Sequence, residues 1–548
     1  MAKPTRYTED MIDEYLAKGF WTQETTADLW DACAKSFGDD EALVDSRKRL
    51  SWKQIKQRSD KLAMNLLDLG FQAGEPIFLL VPNCVESYIV RIACEKAGIL
   101  CLTALASIRE REIQHILRHY GVKGIVVQPE FRGFEYYQSI SKMMPGLPKL
   151  DYLFCIGDDV PPNSISIEEM CHKPADGSHK PEETRFTVGD VAIIALTSGT
   201  TGMPKVAEHP VGARIALGES YHRKLDLKKE DIIFNAINAV AGLGAPVCYS
   251  NVREGAKTVT MEIWNAKKAL EIIEKERPTI FVTTPAQMTM LIKESDFDDY
   301  DTSSLRAVYC GTSPLSYEMA IAGEEKLNAP ILNAYGSFDG GGISGTAVDD
   351  SIETRLFSAG KPHRGNEVRI VDGNGNQVAT GEEGEITFRG PCSCSGYYKD
   401  MEKTVEKWGT LGMDGWFHTG DLGKLDEENN ITLTGRKKEV IIRGGHNIYP
   451  QEIEGLLFMH PRVKHAAVVA MPDPIMGEKA CAFVVTNDGE PFTFNEMKAF
   501  LLEKQIAKYK LPERLEVRAS IPLRDEQKVA KSLLVEELER MLKREGAI

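Results

Sequence analysis

No apolar run in the 548 residues approaches the ~20 that a helix needs to cross a bilayer. The opening stretch, Met1-Ala-Lys-Pro-Thr-Arg-Tyr-Thr-Glu-Asp10, lacks the apolar core of a secretion signal. The expectation is a cytoplasmic protein with no membrane span. Acidic residues outnumber basic ones, 81 to 66. The formal net charge of -15 disfavours a protein that works by coating nucleic acid, and any anionic ligand must meet a local positive site. The 11 cysteines are an odd count, and the nearest pair, Cys392-Ser-Cys394, has no second pair to complete a zinc-type set, so buried free thiols are expected. No internal repeat or low-complexity tract interrupts the chain.

What is present is the composition of an ordinary globular protein, 42% hydrophobic and 27% charged. At roughly 100 to 200 residues per domain the length implies about three or four structural units. Up to about residue 190, helical patterns such as 52–67 alternate with apolar runs such as Pro76-Ile-Phe-Leu-Leu-Val-Pro82, which predicts parallel sheet with crossover helices. The polar stretch from Gly157 to Pro181 reads as a surface excursion. Strands are predicted at 191–196, 279–283 and 307–310. Short β-like runs broken by turns follow residue 355, and mixed patterns return past Gly435, with strands at 466–470 and 482–485 and a helix over 494–507.

After the strand at 191–196 comes Thr197-Ser198-Gly199-Thr200-Thr201-Gly202-Met203-Pro204-Lys205. Glycines let the backbone curl so that N–H groups point inward, hydroxyls add neutral donors and a lysine supplies charge, a set suited to polyphosphate. The spacing is not that of a P-loop NTPase. Five further segments follow in order: Gly311-Thr312-Ser313; Asn333-Ala334-Tyr335-Gly336-Ser337-Phe338-Asp339; Trp416-Phe-His-Thr-Gly-Asp421; Gly435-Arg436-Lys437-Lys438-Glu439 leading to Gly444-Gly445-His446; and Ile521-Pro-Leu-Arg-Asp-Glu-Gln-Lys528. Singly, each has a bland reading: a core tyrosine, a turn, a solvated charge run.

Together and in this order they resemble the adenylate-forming superfamily of acyl-CoA synthetases, peptide-synthetase adenylation domains and beetle luciferases, with similarity to members that activate aryl and alicyclic acids. The resemblance implies an α/β fold. A large N-terminal domain (1–437) would hold two mixed α/β sheet subdomains and a small β-barrel-like subdomain (about 355–435), and a small mobile α+β C-terminal domain (438–548) would turn on a hinge at Lys438. The implied reaction is AMP-forming: a carboxylic acid and ATP give an acyl adenylate and pyrophosphate, and coenzyme A then takes the acyl group. Thr197 to Gly202 with Lys205 would hold phosphates. Gly311, Thr312, Ser313 and the segment Asn333 to Phe338 would hold adenine, with Asn333 on its amine and Tyr335 stacked on the ring. Asp421 would accept the ribose hydroxyls, Arg436 would sit near ribose or phosphate, and Asp339 would hold Mg²⁺. Lys528 would bridge the carboxylate and the α-phosphate. Gly444, Gly445 and His446 would line the pantetheine path. The ending Ile448-Tyr-Pro-Gln-Glu-Ile-Glu454 looks more like coenzyme A users than carrier-protein loaders, and a homodimer stays open.

Three departures from the family stand out. Phe338-Asp339 replaces the common Thr-Glu, Gln527 replaces the usual glycine before the lysine, and the acyl-pocket segment has Val240 where many relatives carry a histidine or aromatic. With Asn235, Asn238, Ala241 and Gly242 from that segment, and Gly311, Gly336, Gly340, Gly341 and Gly342 nearby, the pocket should be apolar and open, suited to a cyclic or medium branched acid. Gly340 to Gly345 satisfies Gly-x-Gly-x-x-Gly but opens no clear helix, so dinucleotide binding is set aside. Asp372 to Glu383 has the spacing of a calcium loop, but Gln377 stands at its required glycine and a hairpin turn is expected. Rival readings are a carrier-protein loader, a non-catalytic nucleotide-binding regulator and a luciferase-like oxygenase.

Overall fold

In a computed structural model the chain is described over residues 3–175, 184–197, 205–240, 242–410, 415–487, 489, 491–524 and 528–545. The glycine-rich residues Ser198, Gly199, Thr200, Thr201 and Gly202, together with Ala241, Gln527 and the side chain of Lys528, lie outside this description.

Two large sheets form most of the N-terminal domain. The first has seven strands in the spatial order Ile165–Ser166, Tyr152–Cys155, Gly124–Val127, Pro76–Leu80, Leu100–Thr103, Val191–Thr197 and Lys205–Pro210, all parallel except the last pair. Its central strands are buried end to end, as expected of parallel strands covered by helices on both faces. The helix Trp52–Asp68 is one such cover, begun by a Ser51/Gln54 capping box. The polar segment after Gly157 does more than cross the surface. It adds the edge strand Ile165–Ser166 and the helix Ile167–His172, whose first turn is capped by Ser166.

The second sheet has nine strands. Its parallel centre runs Glu41–Val44, Lys257–Thr260, Ile232–Asn235, Ile280–Thr283, Ala307–Gly311 and Ile331–Ser337, and antiparallel Gly341–Gly345 follows at the last of these. Gly340 to Gly345 is therefore a strand and its approach, and no helix opens there. Third comes a four-stranded antiparallel sheet, Glu367–Val371, Gly384–Arg389, Phe417–Leu425 and Ile431–Arg436. In its first turn the Asp372 carboxylate accepts from the N–H groups of Asn374 and Asn376, at 2.8 and 2.9 Å, and Val371 bridges to Gln377.

The smaller C-terminal domain is α+β. A five-stranded sheet built on Val463–Asp473 and Gly477–Thr486 carries the helices Pro450–Met459 and Phe494–Glu503 on one core and Lys531–Glu545 on another. It touches the N-terminal domain lightly. Lys293 Nζ donates to the Phe458 carbonyl at 2.6 Å, Tyr449 Oη donates to Glu383, and a Cβ on Gly455 would lie 2.7 Å from Ser316 Cβ. All 11 cysteines are free and buried, and no described helix is long and apolar enough to span a membrane.

Candidate active site

Thr197 and Lys205 face each other across the antiparallel pair that ends the first sheet, so the glycine-rich loop leaves and returns at neighbouring points. Residues 390–398 then stitch the two large sheets together. Cys394 N donates to the Gly340 carbonyl at 2.8 Å, Ser393 bridges Gly341, and Tyr398 N donates to the Val206 carbonyl at 2.8 Å. The approach needs glycine, because Gly341 has φ of +111° and a Cβ there would lie 2.2 Å from the Cys392 carbonyl oxygen.

The stitch delivers Tyr397, which the sequence did not single out. Its hydroxyl donates to Asp339 Oδ2 at 2.6 Å, and Lys205 Nζ sits 4.8 Å from the centre of its ring. Ser337 donates to the other Asp339 oxygen. Burial pushes the Tyr397 hydroxyl pKa up, helped by the Asp339 charge, so it stays a donor. Burial also draws the Lys205 ammonium below the ordinary lysine value. Such a cation in a partly desolvated site favours an arriving anion.

A second cluster lies across the same turn. Tyr335 Oη donates to Asp421 Oδ2 at 2.9 Å, and Arg436 Nε lies 3.2 Å from Asp421 Oδ1. Asp421 and Arg436 are register partners on neighbouring strands of the four-stranded sheet. Asn333 donates through Nδ2 to the Ser358 carbonyl at 3.3 Å. Gly311 runs beside Ala334, whose carbonyl would be 2.6 Å from an added Cβ, and Thr312 is held at φ of +75°, a costly conformation for a β-branched residue.

The segment from Asn235 is tied down by its own polar atoms. Asn235 is fully buried, donating to Tyr88 Oη at 3.2 Å, and Asn238 Oδ1 accepts from Val240 N at 3.0 Å. Gly242 (φ +49°) brings the loop to 3.3 Å from the Thr312 methyl, counted from an added Cβ. Val240 and Tyr249 belong to one large apolar cluster against which Phe338 packs, and Gly342 admits Leu217, whose Cδ1 would lie 2.2 Å from a Cβ. The segment 235–242 and Thr312 are thus neighbours. Gly444, Gly445 and His446 are elsewhere: all three are exposed, a Cβ on Gly445 would meet nothing within 4 Å, and the His446 ring rests 5.1 Å from that of Tyr509. The backbone of Lys528 pairs with Arg524 in a two-residue ladder, and Lys438 lies in the turn after Arg436.

The AMP-binding enzyme profile matches residues 30–398, and that of the AMP-binding enzyme C-terminal domain matches 452–528. The chain belongs to the AMP-binding enzymes. This AMP-binding enzyme is a ligase of the adenylate-forming superfamily, as its motifs imply. It is 30% identical over 555 residues to the mitochondrial medium-chain acyl-CoA ligase ACSF2 of Mus musculus, spanning 95% of this chain and 88% of that one. To the medium-chain fatty-acid–CoA ligase of Escherichia coli strain K12 it is 28% identical over 545 residues, 98% and 94% of the two chains. In fold the AMP-binding enzyme resembles the anthranilate CoA ligase AuaEII solved with anthranoyl-AMP, at TM-score 0.86 and 22% identity over 95% and 98% of the chains.

Proposed function

We propose that this enzyme joins ATP to a carboxylic acid, releasing pyrophosphate, and passes the acyl group from the adenylate to the thiol of coenzyme A. The observation that carries the reading is the pair of clusters flanking Tyr335 to Asp339. On one side Tyr335, Asp421 and Arg436 form an aromatic face with a carboxylate able to accept two ribose hydroxyls. On the other, Lys205, Tyr397 and Asp339 form a cationic and carboxylate end fit for a magnesium-bound polyphosphate.

Mg²⁺ is an ion usually held by one or two carboxylates plus substrate phosphates. Asp339 keeps lone pairs free beyond those taken by Tyr397 and Ser337 and is the residue that would hold it. The ion supplies neutralisation of phosphate charge. The residues then position and exclude water. Lys205 and the hydroxyls of the 197–202 loop steady the departing pyrophosphate, and Lys528 brings the carboxylate onto the α-phosphorus. For thiolysis the C-terminal domain (438–548) turns at Lys438 and carries Gly444 to His446 from their exposed position to the adenylate.

The acid's body sits among Val240, Phe338 and the Gly340 to Gly342 strand, walls that favour a cyclic or medium branched skeleton. Free, buried cysteines suit a reducing compartment such as the cytoplasm. Acid-dependent ATP–pyrophosphate exchange, followed by a choice between coenzyme A and a phosphopantetheinylated carrier protein, tests the proposal. Exchange with no acid would refute adenylation, and acylation of the carrier alone would refute the thiol assignment.

A further inference from the structure

The guanidinium of Arg214 is a buried cation near Phe338 of the proposed acyl pocket. It stands in the first turn of the helix Val211–Leu225, one turn before Leu217 and Gly218 on the same face. Leu217 fills the space over Gly342, and Gly218 lies against Tyr249, whose Cβ would be 2.4 Å from an added Cβ. Arg214 therefore lies beside Tyr249 and His209, and the His209 ring stands 5.5 Å from that of Phe338. It is 7% exposed, makes no hydrogen bond or ion pair among the described residues, and its buried Nε has no partner.

A second cation backs it. Arg91, also 7% exposed, donates to Tyr249 Oη at 2.7 Å and to Cys248 Sγ at 3.1 Å, with no carboxylate in its grip. His209, whose ring is 5.5 Å from that of Phe338 and whose Nδ1 is 3.1 Å from Cys394 Sγ, is held neutral by burial and by the two arginines. Glu95, which accepts from Ala27 N at 2.9 Å, feels the Arg91 charge and lines the same small cavity, so it partly offsets Arg91; Glu208 accepts from Thr5 N at 2.8 Å and Ser395 Oγ at 2.9 Å, and no carboxylate pairs with Arg214 among the described residues. A cavity of about 20 Å³ between Thr26, Tyr88, Arg91 and Glu95 has room for one water beside Arg91, but Arg214 does not line it.

Burying one charge without a counterion costs far more than a fold ordinarily tolerates. We infer that the counterion is the substrate: the acid carries a second carboxylate, distal to the reacting one, which Arg214 binds through its planar fork with Arg91 reinforcing the field. This rests on the acyl-pocket reading above. The first carboxylate goes to the phosphate end and the second to Arg214, with the apolar walls of Val240 and Phe338 around the carbon skeleton between them. The substrate class is a cyclic or branched dicarboxylic acid.

The test compares matched acids in pyrophosphate exchange: cyclohexane-1,4-dicarboxylate against cyclohexanecarboxylate, terephthalate against benzoate, and adipate against hexanoate. In the wild type the diacid of at least one pair should have kcat/KM higher by roughly 10- to 150-fold, the worth of a charge-assisted hydrogen bond. In Arg214→Met that ratio should fall toward one, and Arg214→Lys, which keeps charge but not the fork, should fall between. A thermal-shift arm reads binding without turnover: the diacid alone should raise the wild-type melting temperature and not that of Arg214→Met. Equal or better use of the monoacid in every pair, with no diacid-specific shift, overturns the second-carboxylate site while leaving adenylation standing. Absence of exchange with all acids, alongside a diacid shift that Arg214→Met abolishes, would overturn the adenylation reading and keep the anion site.

Discussion

Replacing Tyr397 with phenylalanine isolates one hydroxyl. The ring is 1% exposed, packs edge-on against Trp408 at 5.8 Å and lies 4.8 Å from Lys205 Nζ, and phenylalanine preserves all three relations. Only the 2.6 Å bond to Asp339 Oδ2 disappears. A hydrogen bond to a charged group contributes about 1.5–3 kcal/mol, so losing it corresponds to roughly a 10- to 150-fold change if the bond acts in the transition state. Ser337 still holds the other oxygen, so Asp339 remains present but free to swing. The loss should appear in kcat for adenylation and as a higher Mg²⁺ requirement, with the KM for the acid little altered. Pyrophosphate exchange titrated separately in acid and in Mg²⁺ measures this, with thermal unfolding as the check on folding. A variant whose kcat and Mg²⁺ response stay within about twofold of the wild type would show that Tyr397 only packs and that Asp339 is not the metal-side carboxylate.

Lys528→Ala should abolish adenylate formation while thiolysis of a supplied adenylate continues, and equal loss in both steps would sink its assigned role. Asp421→Asn removes the charge that Tyr335 and Arg436 share, and should raise the KM for ATP about 10- to 100-fold in pyrophosphate exchange, by the worth of bonds to an ionised group. Gly341→Ala places a methyl 2.2 Å from a backbone carbonyl at positive φ, and should lower unfolding free energy by roughly 2–5 kcal/mol in denaturant titration. His363 is held well below the usual histidine value by burial, with Lys224 adding to it. Its neutral form is the native one, so it is neutral for stability above about pH 6.5, and as pH falls below that the unfolded chain takes the proton and the fold loses up to about 1.4 kcal/mol per pH unit. His363→Gln should flatten the decline between pH 6.5 and 5.5, and parallel curves would refute it.

The fold could be read where one period dominates. Val191–Thr197, Ile280–Thr283 and Ala307–Gly311 are short apolar runs between turn signals, and each is a strand. The helix at Ile167–His172 escaped notice because its surroundings are polar and its length is six residues. Tyr335, Asp339, Asp421 and Arg436 could be singled out as motif members, and they cluster in space. Tyr397 could not, since its part depends on a stitch between residues far apart in sequence, Gly340 and Val206. Arg214 escaped for another reason. Within Gly-Ala-Arg-Ile-Ala-Leu-Gly an arginine reads as a solvated face, and only packing on both sides of the helix, by Trp21 at Gly212 and by Tyr249 at Gly218, encloses it.

On the proposed two-step reading, the light contact between the domains sets a speed limit: Lys293 on the Phe458 carbonyl, Tyr449 on Glu383 and the bare face of Gly455 against Ser316 would be undone in the turn that brings Gly444 and Gly445 to the site. Each additional 1.4 kcal/mol placed in that contact, if absent from the opening transition state, would slow release about tenfold. A stronger seam would thus give a sturdier protein and a slower one. Glycine at 455, by withholding a side chain from the seam, is as much a setting of the clock as a matter of fit.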